Sequence, residues 1–523
     1  MPADPPSAAP TSSEKSRDFQ RYTGKVSRQA SVFFSGTLFN VVCSYLFKIF
    51  VSRLLGAAAM GYYALGHSLV QILTTLASVG LPKTLARFVA VYQGTGRSGQ
   101  IHGLFHRALA VVGLGTTALG ILLYLGRDFL AQRVFHEPEF ARYLPLFALL
   151  LPMGALSSLL GEYLRGHQEV AQRTLISQFI LLPLWIVVSL ALFQLGWRLS
   201  AYVSAEVFAH LVALLLMYRI GRRKTPDADP DLPQLPALGP EERSFAKTMM
   251  GLDLISFVGH RLDILLLGVL LASDQVGIYS IAVAASSFVS TLLRSVNSIF
   301  GPIISDLHTR GERDLLERLF QTTTKWIFAF TFPLVAVILA FAPALMGLFG
   351  DAFRAGGPAL ALLAVGHLIN VGTGSVGNLL VMSGNPRMEF HASVFTAGLT
   401  LGLHLLFIPR WGILGAAGAL AMGLMAANVL RMVLVRKHLG LWAYNRGWWR
   451  LPLALIPSSL TVWGVAWLAP IWELHELLAF ALAGATSYGV LTLFALLLCL
   501  DDDDRLVAEA VREKVRQRLG KRS

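Results

Sequence analysis

The sequence predicts an all-helical integral membrane protein with about fourteen transmembrane helices, and three observations support this. Of the 523 residues, 54% are hydrophobic and only 14% are charged, and the mean hydropathy of +0.59 is far above that of soluble domains. Apolar windows of about 20 residues, enough to cross a ~30 Å hydrocarbon core, recur along nearly the whole chain. None alternates with period two as barrel strands do, and only helices and closed barrels satisfy the backbone in lipid.

The predicted spans follow one another with short polar breaks. They cover approximately residues 31–54, 62–82, 104–125, 143–164, 174–195, 200–218, 248–271, 277–304, 326–349, 357–383, 390–408, 412–435, 451–470 and 475–500. The two cysteines, Cys43 and Cys499, each lie inside a span, so neither a disulfide framework nor a Cys-rich metal site is expected. We expect no metal and no cofactor.

The distribution of positive charge predicts the orientation. If the N-terminus is cytoplasmic, 34 of the 44 Lys and Arg residues fall in inner loops and tails, seven in outer loops and three inside spans. The positive-inside rule therefore places both termini in the cytoplasm. The net charge of +13 then lies where anionic headgroups attract it, which favours membrane lipids over nucleic acid as partners. Residues 501–523 have the pattern of an amphipathic interfacial helix, with an ordinary solvated helix as the alternative.

Two pairs of similar segments indicate an internal repeat. LLGAAAMGYYALG at 54–66 matches LLASDQVGIYSIA at 270–282 with an offset of 216, and LFQLGWRLSAYVSA at 192–205 matches LFIPRWGILGAAGA at 406–419 with an offset of 214. Six spans per repeat give both halves the same orientation, related by an axis along the membrane normal. The predicted organisation is a cytoplasmic tail (1–30), an N-lobe (31–218), a Pro-rich cytoplasmic linker (219–247), a C-lobe (248–436), two extra helices (450–500) and a cytoplasmic amphipathic tail (501–523).

Polar side chains form a stripe on the second span and on its repeat partner, the eighth. In the second span, spacings of four, three and four place four residues on one helix face: His67, Gln71, Thr74 and Ser78. The offset of 216 maps this stripe onto the eighth span, whose polar residues include Ser287, Ser290, Arg294 and Asn297. Because lipid is a poor neighbour for such a stripe, we expect both helices to line a water-filled cleft between the halves.

Three cations lie inside predicted spans: Lys48, Arg261 and Arg294. A cation at the bilayer centre costs about 2.5–3.5 kcal/mol, so each is expected to face a cavity or a counter-ion. One interpretation is a cationic patch in a central cavity that attracts an anionic substrate. The other is a set of internal ion pairs that hold helices together. The candidate anions are Asp253, Asp263, Glu162 and Glu206. Three of them, Asp253, Asp263 and Glu206, are also candidates for binding a coupling proton or Na⁺.

Two further patterns do not indicate enzyme chemistry. GTGSVG at 372–377 matches the dinucleotide pattern, but no strand precedes it, so we interpret it as close helix packing or a local break in the tenth span. HGLFH at 102–106 has the spacing of a metal-binding His pair but lacks the Glu of a zincin. The longest outer loop, 126–142, is short for a membrane polymerase or ligase, and no P-loop is present in the sequence. These observations predict a transporter rather than an enzyme.

Several segments resemble one known family. Four segments are similar to bacterial polysaccharide-export (O-antigen-type) flippases. They are GYYALG after a first span that ends in LLG, VGLPKTLARFVA at 79–90, LDILLLGVLLASDQVGIYSIA at 262–282 and PRWGILGAAGA at 409–419. These flippases belong to the multidrug/oligosaccharidyl-lipid/polysaccharide exporter superfamily. The resemblance covers roughly residues 25–500, and its diffuse motifs identify the family better than the substrate.

The resemblance implies a V-shaped pair of six-helix, MATE-like lobes that works by alternating access. The implied activity is flipping an undecaprenyl-pyrophosphate-linked oligosaccharide from the cytoplasmic to the periplasmic leaflet of the bacterial inner membrane, for O-antigen lipopolysaccharide or another surface polysaccharide. It also implies a cationic central cavity, a role that suits Lys48, Arg261 and Arg294. The expected partners are this lipid-linked substrate and membrane lipids, with a polymerase or assembly protein left open. The alternatives are a cation-coupled multidrug or small-molecule exporter of the same fold, and a non-transporting scaffold.

Overall fold

The computed structural model describes residues 36–37, 39–97, 99–225, 239–471 and 475–499. The predicted N-terminal tail, the middle of the predicted linker and the amphipathic C-terminal tail lie outside these residues. Within them the backbone is almost entirely helical and contains no strand. The prediction of an all-helical protein is confirmed.

Nineteen α-helices follow one another in the described part of the chain. They are α1 (39–55), α2 (Ala57–Ser78), α3 (Leu81–Gly94), α4 (Gly99–Leu125), α5 (Arg127–Phe129), α6 (Leu144–Gly166), α7 (Val170–Thr174), α8 (Leu181–Gln194), α9 (Leu199–Lys224), α10 (Pro240–His260), α11 (Leu262–Leu270), α12 (Ser273–Ser286), α13 (Thr291–Arg310), α14 (Arg313–Gly347), α15 (Gly357–Gly372), α16 (Val376–Met382), α17 (Pro386–Leu439), α18 (Pro452–Leu468) and α19 (Glu476–Phe494). Short 3₁₀ or π turns occupy Leu130–Val134, Pro138–Arg142, Leu175–Ile180, Ser287–Ser290, Asp351–Gly356, Arg446–Arg450 and Ala495–Cys499.

Where the structure describes them, the predicted spans coincide with helix, but not every span is one separate helix. Among the described residues, 10 helical segments are long and apolar enough to cross a membrane, or 11 if α2 and α3, bent by 47°, form one span. The number is below fourteen for three reasons. The eleventh and twelfth spans share α17, which breaks at Gly412 (φ 54°, ψ −129°). The seventh is divided between α10 and α11, and the first is described only in part.

The described residues form two compact units. One contains the described residues up to Phe50 together with Leu69–Leu130 and Glu139–Asp253, and the other contains Val51–Ser68, Ala131–Pro138 and the described residues from Leu254 onward. Each unit buries its own apolar side chains. In the first unit the buried core includes Leu85, Phe105, Leu159 and Tyr163, and in the second it includes Phe320, Leu379, Leu380 and Val435.

The repeat segments at 54–66 and 270–282 pack against each other in the second unit. Gly61 of α2 and Gly277 of α12 allow this, because a Cβ on Gly61 would lie 1.8 Å from Ser273 O and a Cβ on Gly277 would lie 1.9 Å from Ala57 O. Ala57 and Ser273 are themselves related by the offset of 216. Equivalent residues therefore exchange equivalent contacts, as across a local twofold axis, and only glycine permits so close an approach.

Glu137 joins the same two segments. Its Oε2 accepts a hydrogen bond from the Tyr62 hydroxyl at 2.9 Å, and its Oε1 accepts one from the Ser273 backbone N–H at 2.8 Å. Ser273 is the first residue of α12, where the N–H groups lack helical partners and attract a carboxylate. One carboxylate thus satisfies a donor from each repeat.

Candidate functional site

A cavity of about 570 Å³ lies within the second unit, where three spans depart from regular helix. Arg261 separates α10 from α11, a 3₁₀ turn at Ser287–Ser290 separates α12 from α13, and residues 373–375 separate α15 from α16. Residues from all three interruptions line the cavity. Non-helical backbone is tolerated at membrane depth only where protein or water satisfies its polar groups, so these breaks indicate a hydrated site.

Five of the predicted site residues line this cavity: Arg261, Ser287, Ser290, Arg294 and Asn297. Arg294 Nη2 donates to the Ser287 carbonyl at 3.0 Å and to Thr291 Oγ1 at 2.9 Å. Both acceptors are neutral, so they orient the guanidinium without neutralising its charge. No carboxylate of a described residue forms an ion pair with Arg261 or Arg294.

Ser290 belongs to a group of polar side chains on the cavity wall. The Ser290 hydroxyl lies 2.9 Å from His367 Nδ1 and accepts a hydrogen bond from Asn370 Nδ2 at 3.4 Å. All three residues line the cavity. Hydroxyl, imidazole and amide groups both donate and accept hydrogen bonds, which suits a ligand rich in hydroxyl groups.

The break in the tenth span falls within GTGSVG, where a local break was one of the two interpretations of that pattern. Gly374 has φ 66°, and a Cβ on it would lie 2.1 Å from Thr324 Oγ1, so glycine is required for both its backbone conformation and its packing. Beyond the break, Ser375 Oγ donates to Asn297 Oδ1 at 2.5 Å and Asn378 Nδ2 donates to the Asn297 carbonyl at 3.2 Å. The break therefore presents side chains of the tenth span to the polar stripe of the eighth.

Two charged lining residues were missed at the sequence level: Glu389 and Arg431. Arg431 Nε donates to both Glu389 carboxylate oxygens at 3.0 and 2.9 Å, and Nη2 donates to Oε1 at 2.7 Å. Glu389 precedes the predicted eleventh span by one residue, and Arg431 lies near the end of the twelfth, where it was counted with the loop cations. Opposite charges at the matching ends of two consecutive antiparallel spans are the signal that would have found them.

The lining of the cavity is cationic overall. Three arginines, Arg261, Arg294 and Arg431, stand against one carboxylate, that of Glu389, for a formal charge of +2. Within the described part of the chain, no group of three or more His, Cys, Asp or Glu side chains is placed to hold a metal ion. The arrangement can hold an anion through arginine and neutral hydroxyl groups through the amides.

The remaining residues of the predicted cationic patch and stripe are not among the cavity-lining residues. Lys48 is half-buried on α1 in the first unit. His67 lies in the second unit, with its ring centroid 5.7 Å from that of Tyr63. The other three stripe residues lie on the part of α2 that belongs to the first unit: Gln71, Thr74 and Ser78. Their proposed roles stay predictions.

Three of the four candidate carboxylates have partners that do not line the cavity. Asp253 Oδ1 lies 2.5 Å from Lys83 Nζ, and Glu162 pairs with Arg165 and Arg173. Asp263 is 1% exposed, and it accepts hydrogen bonds from the Tyr279 hydroxyl at 2.6 Å and from the Ile264 N–H at 2.8 Å. Glu206 is buried on α9. None of these four carboxylates is among the lining residues of the cavity, and ion coupling by any of them stays a prediction.

Comparison with known proteins identifies the family. The model of the family described as "polysaccharide biosynthesis protein" matches residues 26–308, more than half of the chain. The chain belongs to this family. A curated relative, the probable low-salt glycan biosynthesis flippase Agl15 of Haloferax volcanii, is 23% identical over 475 residues, which cover 90% of this chain and 96% of the relative.

Solved transporter structures share the fold of this polysaccharide biosynthesis family member. The lipid II flippase MurJ in an inward closed conformation superimposes with a TM-score of 0.70 at 11% identity, covering 88% of this chain and 97% of MurJ. An inward-facing multidrug resistance MATE family transporter of the MOP superfamily gives 0.64 at 15% identity, covering 79% and 98%. The predicted MATE-like membrane fold is confirmed. The family match confirms the predicted resemblance to a polysaccharide family, and the candidate spans confirm a multi-pass membrane protein. The relatives named above are flippases and a transporter, in agreement with the prediction of a transporter rather than an enzyme.

Proposed function

We propose that this protein is a flippase for a lipid-linked oligosaccharide used in surface polysaccharide biosynthesis. The observation that carries the proposal is the cavity at the broken spans, whose lining combines three arginines with neutral amide and hydroxyl groups. A sugar–pyrophosphate headgroup cannot cross hydrocarbon unaided, because each unpaired polar group costs several kcal/mol. The names of the relatives support the same class, since Agl15 is a probable glycan biosynthesis flippase and MurJ a lipid II flippase.

The chemistry of the cavity matches the two parts of such a headgroup. Arginine forms paired, charge-assisted hydrogen bonds with phosphate, which gives Arg261, Arg294 and Arg431 a role toward the pyrophosphate. Asn370, Asn378 and their polar neighbours then meet the sugar hydroxyls, while the lipid tail stays in the bilayer.

Direction and location complete the proposal. The substrate is an undecaprenyl-pyrophosphate-linked oligosaccharide, moved from the cytoplasmic to the periplasmic leaflet of a bacterial inner membrane by alternating access, with both termini cytoplasmic. With the cell interior negative, outward movement of an anion gains about 2.3 kcal/mol per charge per 100 mV. Export of O-antigen-type repeat units is therefore favoured by the membrane potential.

The test replaces the two cavity arginines that form no ion pair with a described residue. Arg294→Ala and Arg261→Ala are each expected to stop surface polysaccharide assembly and to leave lipid-linked repeat units on the cytoplasmic face, at unchanged protein abundance. The readouts are gel analysis of the surface glycan and extraction of labelled lipid-linked intermediates. Arg410→Ala is the matched control, because among the described residues this exposed arginine donates only to the carbonyl of Leu406 on its own helix, and it does not line the cavity. Normal polysaccharide in both variants would reject the proposal.

The alternative is a cation-coupled multidrug exporter of the same fold, so the MATE likeness does not distinguish it from a flippase. The charge of the cavity favours the flippase. A site for cationic drugs needs carboxylates, and this lining has one, which is already paired with Arg431. Deletion of the gene is therefore expected to remove surface glycan and leave drug sensitivity unchanged. Hypersensitivity to cationic drugs with intact glycan would instead establish the exporter.

A further inference from the structure

A second basic site lies in the first unit, where α3 is held between two other helices. Gly80 precedes α3 with φ 71°, and a Cβ on it would lie 2.1 Å from the Ala246 carbonyl of α10. Gly166 ends α6, and a Cβ on it would lie 2.8 Å from the Ala86 carbonyl of α3. Both approaches are too close for any side chain, so they fix α6 and α10 against α3.

This packing brings three cations to one open cavity of about 430 Å³. Lys83 and Arg87 lie one turn apart on α3, and Arg165 comes from the end of α6. Phe245 and Met249 of α10 supply an apolar wall. The site is thus built from three helices rather than from one flexible loop.

Arg87 differs from the other two cations in its partners. Lys83 pairs with Asp253, and Arg165 pairs with Glu162. The guanidinium carbon of Arg87 instead lies 4.5 Å from the ring centroid of Phe245 and 5.5 Å from that of Phe88, and no hydrogen bond or ion pair joins Arg87 to a described residue. An aromatic ring over the guanidinium face orients the group and leaves its edge N–H donors free.

We propose that this cavity binds the phosphate of an anionic phospholipid, with Arg87 as a bidentate donor. The fork of N–H groups on arginine matches two phosphate oxygens, and Lys83 and Arg165 add positive charge beside it. Phe245 and Met249 provide the apolar surface that a glycerolipid needs and a free phosphate does not. All three cations are counted on the predicted cytoplasmic side, where anionic headgroups concentrate. The proposal is independent of the transported glycan.

The test measures lipid retention by the purified full-length protein in detergent, using native mass spectrometry with phosphatidylglycerol, phosphatidylcholine and soluble glycerol phosphate as probes. The wild type is expected to retain phosphatidylglycerol in preference to the other two. Arg87→Ala is expected to weaken phosphatidylglycerol binding about tenfold, the loss of one charge-assisted hydrogen-bonded pair. Arg87→Lys keeps the charge but loses the fork and the aromatic stacking, so an intermediate loss is expected.

The matched control is Arg222→Ala, which removes one positive charge from the basic surface at the end of α9. It is expected to change phosphatidylglycerol binding less than twofold. An equal loss in Arg222→Ala would show diffuse attraction, and glycerol phosphate binding as tight as phosphatidylglycerol would show a free-anion site; either result overturns the proposal. Thermal unfolding checks that Arg87→Ala is folded. If Arg87→Ala does not fold, the Arg87→Lys variant is the test, and unchanged phosphatidylglycerol binding in Arg87→Lys overturns the proposal.

Discussion

Asp263 shows how a buried charge takes a structural partner. Its carboxylate accepts the hydroxyl of Tyr279, and both residues are almost fully buried. Tyr279→Phe leaves that carboxylate oxygen without its donor, so we expect a loss of about 1–3 kcal/mol in the free energy of unfolding. Denaturant unfolding in detergent measures it, with the half-buried Tyr218→Phe as the control expected to change by less than about 0.5 kcal/mol. If Tyr279→Phe were as stable as the wild type but its transport no longer depended on the ion, Asp263 would instead be a coupling group.

Glu389 competes with any anionic ligand for Arg431, because the same guanidinium N–H groups already bind its carboxylate. Both side chains are about one-fifth exposed, so the pair is accessible from the cavity. Glu389→Gln is therefore expected to tighten binding of inorganic pyrophosphate by about tenfold, and Arg431→Ala to weaken it by a similar factor. Titration calorimetry on the purified protein measures both. Weaker binding in Glu389→Gln would mean that the carboxylate positions Arg431 rather than competing with the ligand.

At the level of single residues, the sequence predicted Arg261 and Arg294 because a cation in the middle of an apolar span has a large solvation cost. It missed Glu389 and Arg431 because each charge, taken singly near a span end, resembles a loop charge, and only their opposite signs at matching span ends indicate a pair. Glu389 and Arg431 are 42 residues apart in sequence, and they come into contact only because α17 folds back at Gly412. Pairing of this kind depends on tertiary structure, which hydropathy does not contain.

At the level of helices, composition is enough to predict the spans, whereas two of the three helix breaks at the cavity cannot be predicted from the sequence. The run GTGSVG indicated a local break through its glycines, and the structure has one there. The interruptions at Arg261 and at Ser287–Ser290 carry no Gly or Pro at the break itself, so local propensity gives no signal for them. At Ser287–Ser290, the contacts that stabilise the break come from another helix, since His367 and Asn370 of α15 both contact Ser290.

The packing of α2 on α12 gives the sharpest prediction at this scale. Gly61→Ala places a methyl group 1.8 Å from the Ser273 carbonyl, which is backbone and cannot rotate away. We expect the two helices to separate, at a cost of about 3 kcal/mol or more. The same substitution at Gly402 of α17, where no atom lies within 4 Å of the added Cβ, is the control and is expected to be neutral or slightly stabilising. Thermal unfolding and yield in detergent report both variants, and similar stabilities would contradict the packing.

At the level of the whole molecule, the internal repeat and the count of positive charges predict which loops face the cytoplasm. Thr309 follows the predicted eighth span on the predicted inner side, and Asp351 follows the ninth on the predicted outer side; both are exposed. In a background with Cys43 and Cys499 replaced by Ser, a membrane-impermeant thiol reagent is expected to label Asp351→Cys in cells with a permeabilised outer membrane and an intact inner membrane. Thr309→Cys is expected to react only after the inner membrane is opened. The reverse labelling pattern would mean that the protein has the opposite orientation, so that the membrane potential would no longer favour anion export as proposed. Labelling of both positions from the same side would contradict an odd number of membrane crossings between them.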